Sequence, residues 1–296
     1  MTERKAHLDG VAIALLITCC VFWGVQQVLV KATLAEIAPL FQVGTRFMGA
    51  TVLLYIWCRW RKIELWQHDA SLQPGLIAGA LFAVEFACIY IGLQFTSASR
   101  LTIFLYTSPF WVALLVPLWV KSEKMGSLQW VGLTLAFCGV AFAMYDGSSS
   151  AVTGHWLGDL LGLAAGSLWG LTTVVIRTST LAKLSAEKVL FYQIAVSALV
   201  LTALSWTTGE TWRIPSSSFA ISSMVIQTVL GAFVSYLVWM WLLGHYPATR
   251  ISGFVFLTPL CTLLAASWWL HEPITLPLMI GLACVAIGML LINRRR

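Results

Sequence analysis

Two ionisable residues lie deep inside long apolar stretches of the sequence. Of the twelve acidic residues, only Glu85 falls near the middle of such a stretch, which spans residues 74–95. Arg46 lies inside the apolar stretch 38–58. Ionisable groups at membrane depth are costly and tend to be functional. Glu85 and Arg46 are therefore the first candidates for binding a polar solute or a proton.

The sequence leaves three roles open for this pair. Glu85 and Arg46 could form a structural ion pair between two helices. Glu85 could instead bind substrate or a proton, or it could be a neutral acid in packed protein. Burial penalises a charged carboxylate, whereas a neighbouring arginine favours it. These two effects oppose each other, so the sequence is compatible with both a charged and a neutral Glu85.

Amide and aromatic side chains at comparable depth complete the candidate site. Tyr236 and Trp239 are three residues apart and share a helix face, which favours either an aromatic cavity wall or plain packing. No His or Cys spacing typical of a metal site occurs among the seven cysteines and five histidines, and no cofactor is expected. The candidates for substrate binding or coupling are Glu85, Arg46, Trp23, Gln26, Gln27, Tyr90, Tyr106, Trp169, Tyr192, Gln193, Tyr236 and Trp239.

The composition predicts that a lipid bilayer surrounds the elements carrying these residues. The 296-residue chain is 59% hydrophobic and 10% charged, whereas soluble domains carry about 25% charged residues. Ten apolar stretches exceed the roughly 17 residues that a helix needs to span a bilayer. The first is expected to be a retained helix rather than a signal peptide. The stretches are 11–31, 38–58, 74–95, 99–120, 127–145, 157–177, 187–207, 219–243, 250–270 and 273–292.

The distribution of basic residues predicts the orientation of these spans. Cytoplasmic loops accumulate Lys and Arg, and an N-terminus inside the cell places nearly all of them on the inner side. Lys31, Arg100 and Arg213 are then the exceptions outside. Both termini are predicted to be cytoplasmic, in the cell (inner) membrane. The formal charge of +6 follows from this bias, so no nucleic-acid partner is expected.

A repeated phrase indicates that the chain is duplicated. Residues 98–109 read ASRLTIFLYTSP and residues 248–259 read ATRISGFVFLTP. Trp23-Gly24 matches Trp169-Gly170 at nearly the same offset. Because the repeated unit has five spans, an odd number, its second copy enters the membrane inverted. Inverted repeats are typical of secondary transporters, which bind their solute between the halves.

With these motifs, the chain resembles the drug/metabolite transporter superfamily, and most closely its ten-helix EamA-type exporters. The segment HEPIT at 271–275 is similar to the family's turn before the last helix, whereas the matching KSEKMG turn keeps Glu123 and lacks the proline. The resemblance implies an all-α integral membrane protein with ten transmembrane helices, arranged as two inverted five-helix repeats around a central cavity. The repeats are predicted at residues 1–147 and 148–296.

The resemblance implies export of small metabolites, amino acids or amphipathic compounds. Together with the inverted repeat, this predicts a secondary active transporter that works by alternating access, with protons as the candidate coupling ion through Glu85, and not an enzyme. The alternatives are an integral membrane enzyme acting on a lipid or small apolar substrate, and a non-transporting scaffold.

Prolines and glycines within the spans suggest bends and close packing. Pro109 and Pro259 lie about ten residues into their spans, where proline removes a hydrogen-bond donor and kinks a helix. Such kinks could bend as a gate opens or could be static. A glycine at every fourth position from 158 to 170 favours close helix packing, inside a monomer or at a homodimer interface.

Overall fold

The computed structural model describes residues 9–66, 69–119, 126–146, 155–246, 255 and 257–293. Within these residues the chain is almost entirely helical and contains no strand. The helices are α1 Gly10–Thr33, α2 Pro39–Trp60, α3 Leu72–Phe95, α4 Ala98–Leu105, α5 Ser108–Trp119, α6 Ser127–Asp146, α7 His155–Thr178, α8 Ala186–Thr207, α9 Ser218–Ile226, α10 Tyr236–His245, α11 Leu257–Leu270 and α12 Leu276–Asn293. A 3₁₀ turn, Thr180–Lys183, precedes α8, and a π-helical segment, Gln227–Ser235, joins α9 to α10.

The all-α prediction is confirmed, and the apolar stretches account for the length of the helices. Among the described residues, five helical stretches are long and apolar enough to cross a membrane. They are Gly10–Thr33, Leu72–Phe95, His155–Thr178, Ala186–Thr207 and Ser218–Leu242. Arg250 and the rest of 247–254 lie outside the described residues, as do Glu123 and the chain termini.

Helix starts follow local capping chemistry. The side chains of Asp9, Ser97, Ser185 and Ser217 each accept a hydrogen bond from a backbone N–H in the first turn of the helix that follows. Such caps satisfy donors that have no partner within the helix. Helix α2 begins instead at Pro39, where a missing N–H is tolerated.

The span predicted at 99–120 is broken rather than simply kinked. Helix α4 ends at Leu105, Tyr106 and Thr107 form a turn, and α5 restarts at Ser108. Pro109 has no N–H to donate to the carbonyl of Leu105, so the helical ladder is interrupted at this point. Pro259 is the third residue of α11, and most of the preceding predicted span lies outside the described residues. Bending of either helix during function is still a prediction.

The glycine stripe on α7 packs inside the chain. A Cβ atom placed on Gly158 would lie 2.6 Å from Thr96, and one on Gly170 would lie 2.6 Å from Trp111. Gly166 faces the broken helix, with the carbonyls of Phe104 and Leu105 2.8 Å from the Cβ position. These approaches place the stripe against α3, α4 and α5, which favours the internal-packing interpretation.

One end of the helix bundle is held together by charged residues. Glu210 accepts hydrogen bonds from the N–H groups of Leu40 and Phe41 at the start of α2. Lys31 donates to the carbonyls of Leu93 and Thr96 at the end of α3. Three further groups lie at the same end: Glu36 bonded to Ser217, Arg100 paired with Asp159, and Glu272 bonded to Ala98 and Ser99. We call this end the Glu272 face.

The opposite end carries an ion pair between the two halves of the sequence. Lys188 Nζ lies 2.8 Å from Asp69 Oδ2, which joins the segment before α3 to the start of α8. Tyr246, after α10, donates a hydrogen bond to Asp9, before α1, over 2.9 Å. We call this end the Lys188 face.

Candidate functional site

A cavity of about 260 Å³ lies between α1, α2, α3 and α4 on one side and α7, α8 and α10 on the other. Its wall reaches the Lys188 face, because the exposed residues Arg177 and Ala182 belong to it. Most of the wall is apolar or aromatic, with a small number of polar groups. Small-molecule sites have this character.

Eleven of the twelve predicted site residues line this cavity. They are Trp23, Gln26, Gln27, Arg46, Glu85, Tyr90, Tyr106, Trp169, Gln193, Tyr236 and Trp239. Tyr192 is the exception, because it lies on the side of α8 that faces α3. Its ring packs against Gly75, and its hydroxyl lies 3.0 Å from Ser71 Oγ. Lining the cavity does not establish a role in transport, so that role is still a prediction.

Arg46 is completely buried and is hydrogen-bonded to neutral groups. Its Nη1 donates to the Tyr90 hydroxyl over 2.8 Å, and its Nη2 donates to the Tyr236 hydroxyl over 2.9 Å. The amide oxygen of Gln26, in the orientation that satisfies both side chains, accepts from both nitrogens at 3.1 Å. The Cζ atom also lies 5.4–5.5 Å from the ring centres of Phe47, Phe86 and Tyr236, within cation–π range.

Glu85 is 3% exposed, and its Oε2 has no hydrogen-bond partner within the described part of the chain. Ion pairs shorter than 4.0 Å in that part are Arg100–Asp159 and Lys188–Asp69. Glu85 and Arg46 therefore do not pair, and the structural ion-pair interpretation is wrong. The cavity wall holds one buried cation and one buried acid, each without a partner of opposite charge among the described residues.

Aromatic rings surround these two groups. The Trp23 ring centre lies 5.4 Å from that of Trp239 and 6.4 Å from that of Tyr236. Trp23 is oriented by the hydrogen bond from its Nε1 to Ser235 Oγ, which is 2.8 Å long. On the other side, Tyr106 and Trp169 meet edge to face at 5.4 Å. Tyr236 and Trp239 thus line the cavity and also pack against Trp23. Both interpretations of their spacing, an aromatic cavity wall and plain packing, therefore hold.

A chain of buried polar side chains runs from the cavity towards the Glu272 face. The Tyr90 hydroxyl donates to Gln227 Oε1 over 3.2 Å, and Gln42 Nε2 contacts the same oxygen at 3.4 Å. Gln42 Nε2 also lies 2.5 Å from Thr33 Oγ1. These side chains are at most 1% exposed, so the cavity is closed towards this face.

Sequence reasoning missed Gln42, Gln227 and the π-helical segment that carries Gln227. The same rule that selected Glu85, a polar residue in an apolar span, could have found both amides. The π segment has no such signal. Inserted π turns occur frequently at functional sites, and this one places the backbone of Gly231 beside Arg46. A Cβ on Gly231 would collide with the Gln26 amide, so a larger residue at this position would displace Gln26 from Arg46.

Comparison with known proteins agrees with this architecture. The model of the EamA-like transporter family matches the chain twice, at residues 10–145 and 156–294. The chain belongs to the EamA-like transporter family. It is therefore a multi-pass membrane protein of a family of transporters, whose substrates are small molecules, and the resemblance read from the sequence is confirmed.

Relatives of this EamA-like chain cover nearly its full length. It is 28% identical over 281 residues to the protein named "Uncharacterized transporter YvbV" of Bacillus subtilis, covering 93% of this chain and 89% of that protein. It is 26% identical over 291 residues to the "Probable amino-acid metabolite efflux pump" of Escherichia coli, covering 95% and 93%. One solved crystal structure matches with a TM-score of 0.68 at 13% identity, over 96% of this chain and 98% of the other, and so shares its fold.

Proposed function

We propose that this EamA-like chain is a secondary active exporter of a small zwitterionic or amphipathic metabolite. The observation that carries the proposal is the cavity between the two halves of the sequence. It contains Arg46 and Glu85, neither paired with an opposite charge among the described residues. Burying unpaired charges is expensive, and a solute that carries both signs offsets that cost.

The directions of the helices support two inverted repeats, at residues 1–147 and 148–296. Helix α1 ends at the Glu272 face, whereas its counterpart α7 begins there. Helix α2 begins at that face, and α8 ends close to it, three residues before Glu210. The family model also matches once in each half. We therefore propose ten spans in a five-plus-five inverted arrangement.

The closed and open ends of the cavity support alternating access. The cavity reaches the Lys188 face and is closed towards the Glu272 face by the buried chain of Tyr90, Gln227 and Gln42. In an inverted repeat, exchanging the conformations of the two halves produces the opposite state. The basic residues Arg59, Arg61, Lys62 and Lys183 lie near the Lys188 face, which supports a cytoplasmic location for it. In this proposal the protein lies in the cell (inner) membrane with both termini in the cytoplasm, and it faces inwards in the present structure.

The lining favours an amino-acid-like solute. A carboxylate suits the Arg46 side of the cavity, an ammonium group suits Glu85, and the aromatic rings suit an apolar body. A volume of about 260 Å³ lies just below the roughly 300–1,000 Å³ typical of small-molecule sites. The name of the Escherichia coli relative, an amino-acid metabolite efflux pump, agrees with this chemistry.

Glu85 is the proposed coupling residue. A carboxylate without a counter-charge at membrane depth is costly, so it is favoured to hold either a proton or the ammonium group of the substrate. Exchange of one for the other links outward movement of the solute to inward movement of a proton.

Transport into proteoliposomes tests the proposal. Purified protein is reconstituted, and counterflow of labelled L-leucine and L-phenylalanine is measured with and without a pH gradient, with mass spectrometry of the product. Saturable counterflow of unmodified compound is expected. Chemical conversion of the compound indicates an enzyme, linear flux indicates a channel, and absence of flux contradicts the proposal.

The coupling role is tested by Glu85→Gln, with Glu187→Gln as the matched control. Glu187 lies in the first turn of α8 and does not line the cavity. Glu85→Gln is expected to lose stimulation by the pH gradient and to retain a weakened gradient-independent counterflow, because the amide still accepts from an ammonium group but carries no charge and exchanges no proton. Glu187→Gln is expected to keep both activities at the wild-type level. Gradient-driven transport at the wild-type level in Glu85→Gln rejects the coupling role.

A further inference from the structure

The hydrogen atoms on Nη1 and Nη2 of Arg46 are already committed to protein groups. Tyr90, Tyr236 and the Gln26 amide oxygen, which contacts both nitrogens, offer four contacts, and a guanidinium group has four such hydrogens. The remaining donor, Nε, is buried without a partner in the described part of the chain. A substrate that approaches from the cavity therefore meets the groups around Arg46 before it meets Arg46.

The two phenols bonded to Arg46 differ in what they do with their own hydrogen. Tyr90 is 1% exposed and donates its hydroxyl hydrogen to Gln227 Oε1. Tyr236 is only partly buried and lines the cavity. Among the described residues no group accepts the Tyr236 hydroxyl hydrogen, although its oxygen accepts from Arg46.

A phenol that accepts from a cation becomes a stronger donor, because hydrogen bonds in a chain polarise one another. The Tyr236 hydroxyl is also held in place by its ring, whose neighbours are Trp23, Phe82 and Phe86. The structure thus presents one oriented, cation-polarised donor on the cavity wall.

We propose that Tyr236 donates this hydrogen bond to the acidic group of the substrate and that Arg46 acts through Tyr236 as a positioning residue. This assigns a carboxylate, or another anion of similar size, to the part of the cavity beside Tyr236. The inference rests on the proposed transport function and specifies how the same cavity recognises its solute.

Matched ligands and matched variants test this assignment. Affinities of detergent-purified protein for L-leucine, L-phenylalanine and their decarboxylated amines, 3-methylbutylamine and phenethylamine, are measured by tryptophan fluorescence. The readout is the acid preference, defined as the Kd of the amine divided by the Kd of the amino acid. Tyr236→Phe is compared with Tyr90→Phe, since each removes one phenol bonded to Arg46 and keeps the ring.

The wild type is expected to prefer the amino acid by about 10-fold or more, because a hydrogen bond to a charged group contributes enough binding free energy for a ratio of this size. Tyr236→Phe should remove most of this preference and leave amine affinity within about 2-fold. Tyr90→Phe should keep the preference within about 3-fold. Because the readout is a ratio, a uniform loss of stability or affinity does not imitate the expected result.

Three results overturn the inference. They are a wild type without acid preference, a Tyr236→Phe variant that keeps it, and a Tyr90→Phe variant that loses it equally. If the wild type shows counterflow of the amino acids and yet has no acid preference, only this inference fails. If the wild type neither binds nor transports any of these compounds, the proposed function fails with it.

Discussion

Removing the carboxylate of Glu272 should destabilise the protein, because this group caps helix α4 from the other half of the sequence. Its oxygens accept from Ala98 N at 2.7 Å, Ser99 N at 3.1 Å and Ser99 Oγ at 2.7 Å. The third donor of the first turn, Arg100 N, is bonded to Ser97 Oγ. The N–H groups of Ala98, Ser99 and Arg100 are thereby satisfied.

The expected magnitude follows from the two backbone donors. Ala98 and Ser99 are at most 1% exposed, so Glu272→Ala leaves both N–H groups with little access to water. A buried unsatisfied donor costs about 1–3 kcal/mol. Because Glu272 itself is only partly buried, water can partly replace its carboxylate. For the two donors together we therefore expect the free energy of unfolding to fall by about 2–4 kcal/mol. Glu272→Gln keeps one acceptor oxygen and should cost roughly half of this, about 1–2 kcal/mol.

Unfolding of the purified protein in mixed micelles by added SDS, followed by tryptophan fluorescence, measures these changes. Glu187→Ala is the control, because Ser185 already caps α8 by accepting from Lys188 N, and it should cost less than about 1 kcal/mol. A loss below about 1 kcal/mol for Glu272→Ala, or equal losses for the Ala and Gln variants, would refute the capping argument.

Two further predictions concern the Lys188 face and the packing of α7. The hydrogen bond from Lys188, followed by those from Ser71, lowers the pKa of Asp69 to about 2. A depressed pKa contributes stability above the unfolded value of about 3.9. The difference in melting temperature between wild type and Asp69→Asn should therefore be constant from about pH 8 to 5, shrink as the pH falls from about 4 to 2, and vanish near pH 1. A difference at pH 2 as large as that at neutral pH would rule out the ion pair as its source. Gly166→Ala should cost about 1–3 kcal/mol by overpacking, because its Cβ would lie 2.7 Å from Thr107 Oγ1. Gly10→Ala, with no atom within 4 Å of its Cβ position, should not destabilise the protein, and equal melting temperatures for the two variants would contradict the packing argument.

Eleven of the cavity residues, including both buried ionisable groups, could be predicted from the sequence, because polar residues are conspicuous in spans that face lipid. Glu85 and Arg46 stand out in apolar stretches, and the cost of placing them there implies an enclosed polar site. Gln42 and Gln227 are visible by the same rule. Tyr192 shows the limit of this rule, because two adjacent residues of one helix can face different neighbouring helices. Gln193 lines the cavity, whereas Tyr192 packs on Gly75 of α3.

The sequence by itself determined that the chain is an all-helical membrane protein. Its apolar stretches and its repeated phrase further predict ten spans and an inverted duplication. These properties depend on local composition and spacing, which the bilayer thickness and the helical rise convert directly into structure.

Only the tertiary structure decided which polar groups meet. That Arg46 bonds to Tyr90 and Tyr236 rather than to Glu85 depends on how α2, α3 and α10 are rotated about their axes. The π segment changes the rotation of α10 relative to α9, and the interruption before Pro109 does the same for α5 relative to α4. Helical periodicity specifies which residues share a face, but the direction of that face is set by packing against helices distant in sequence.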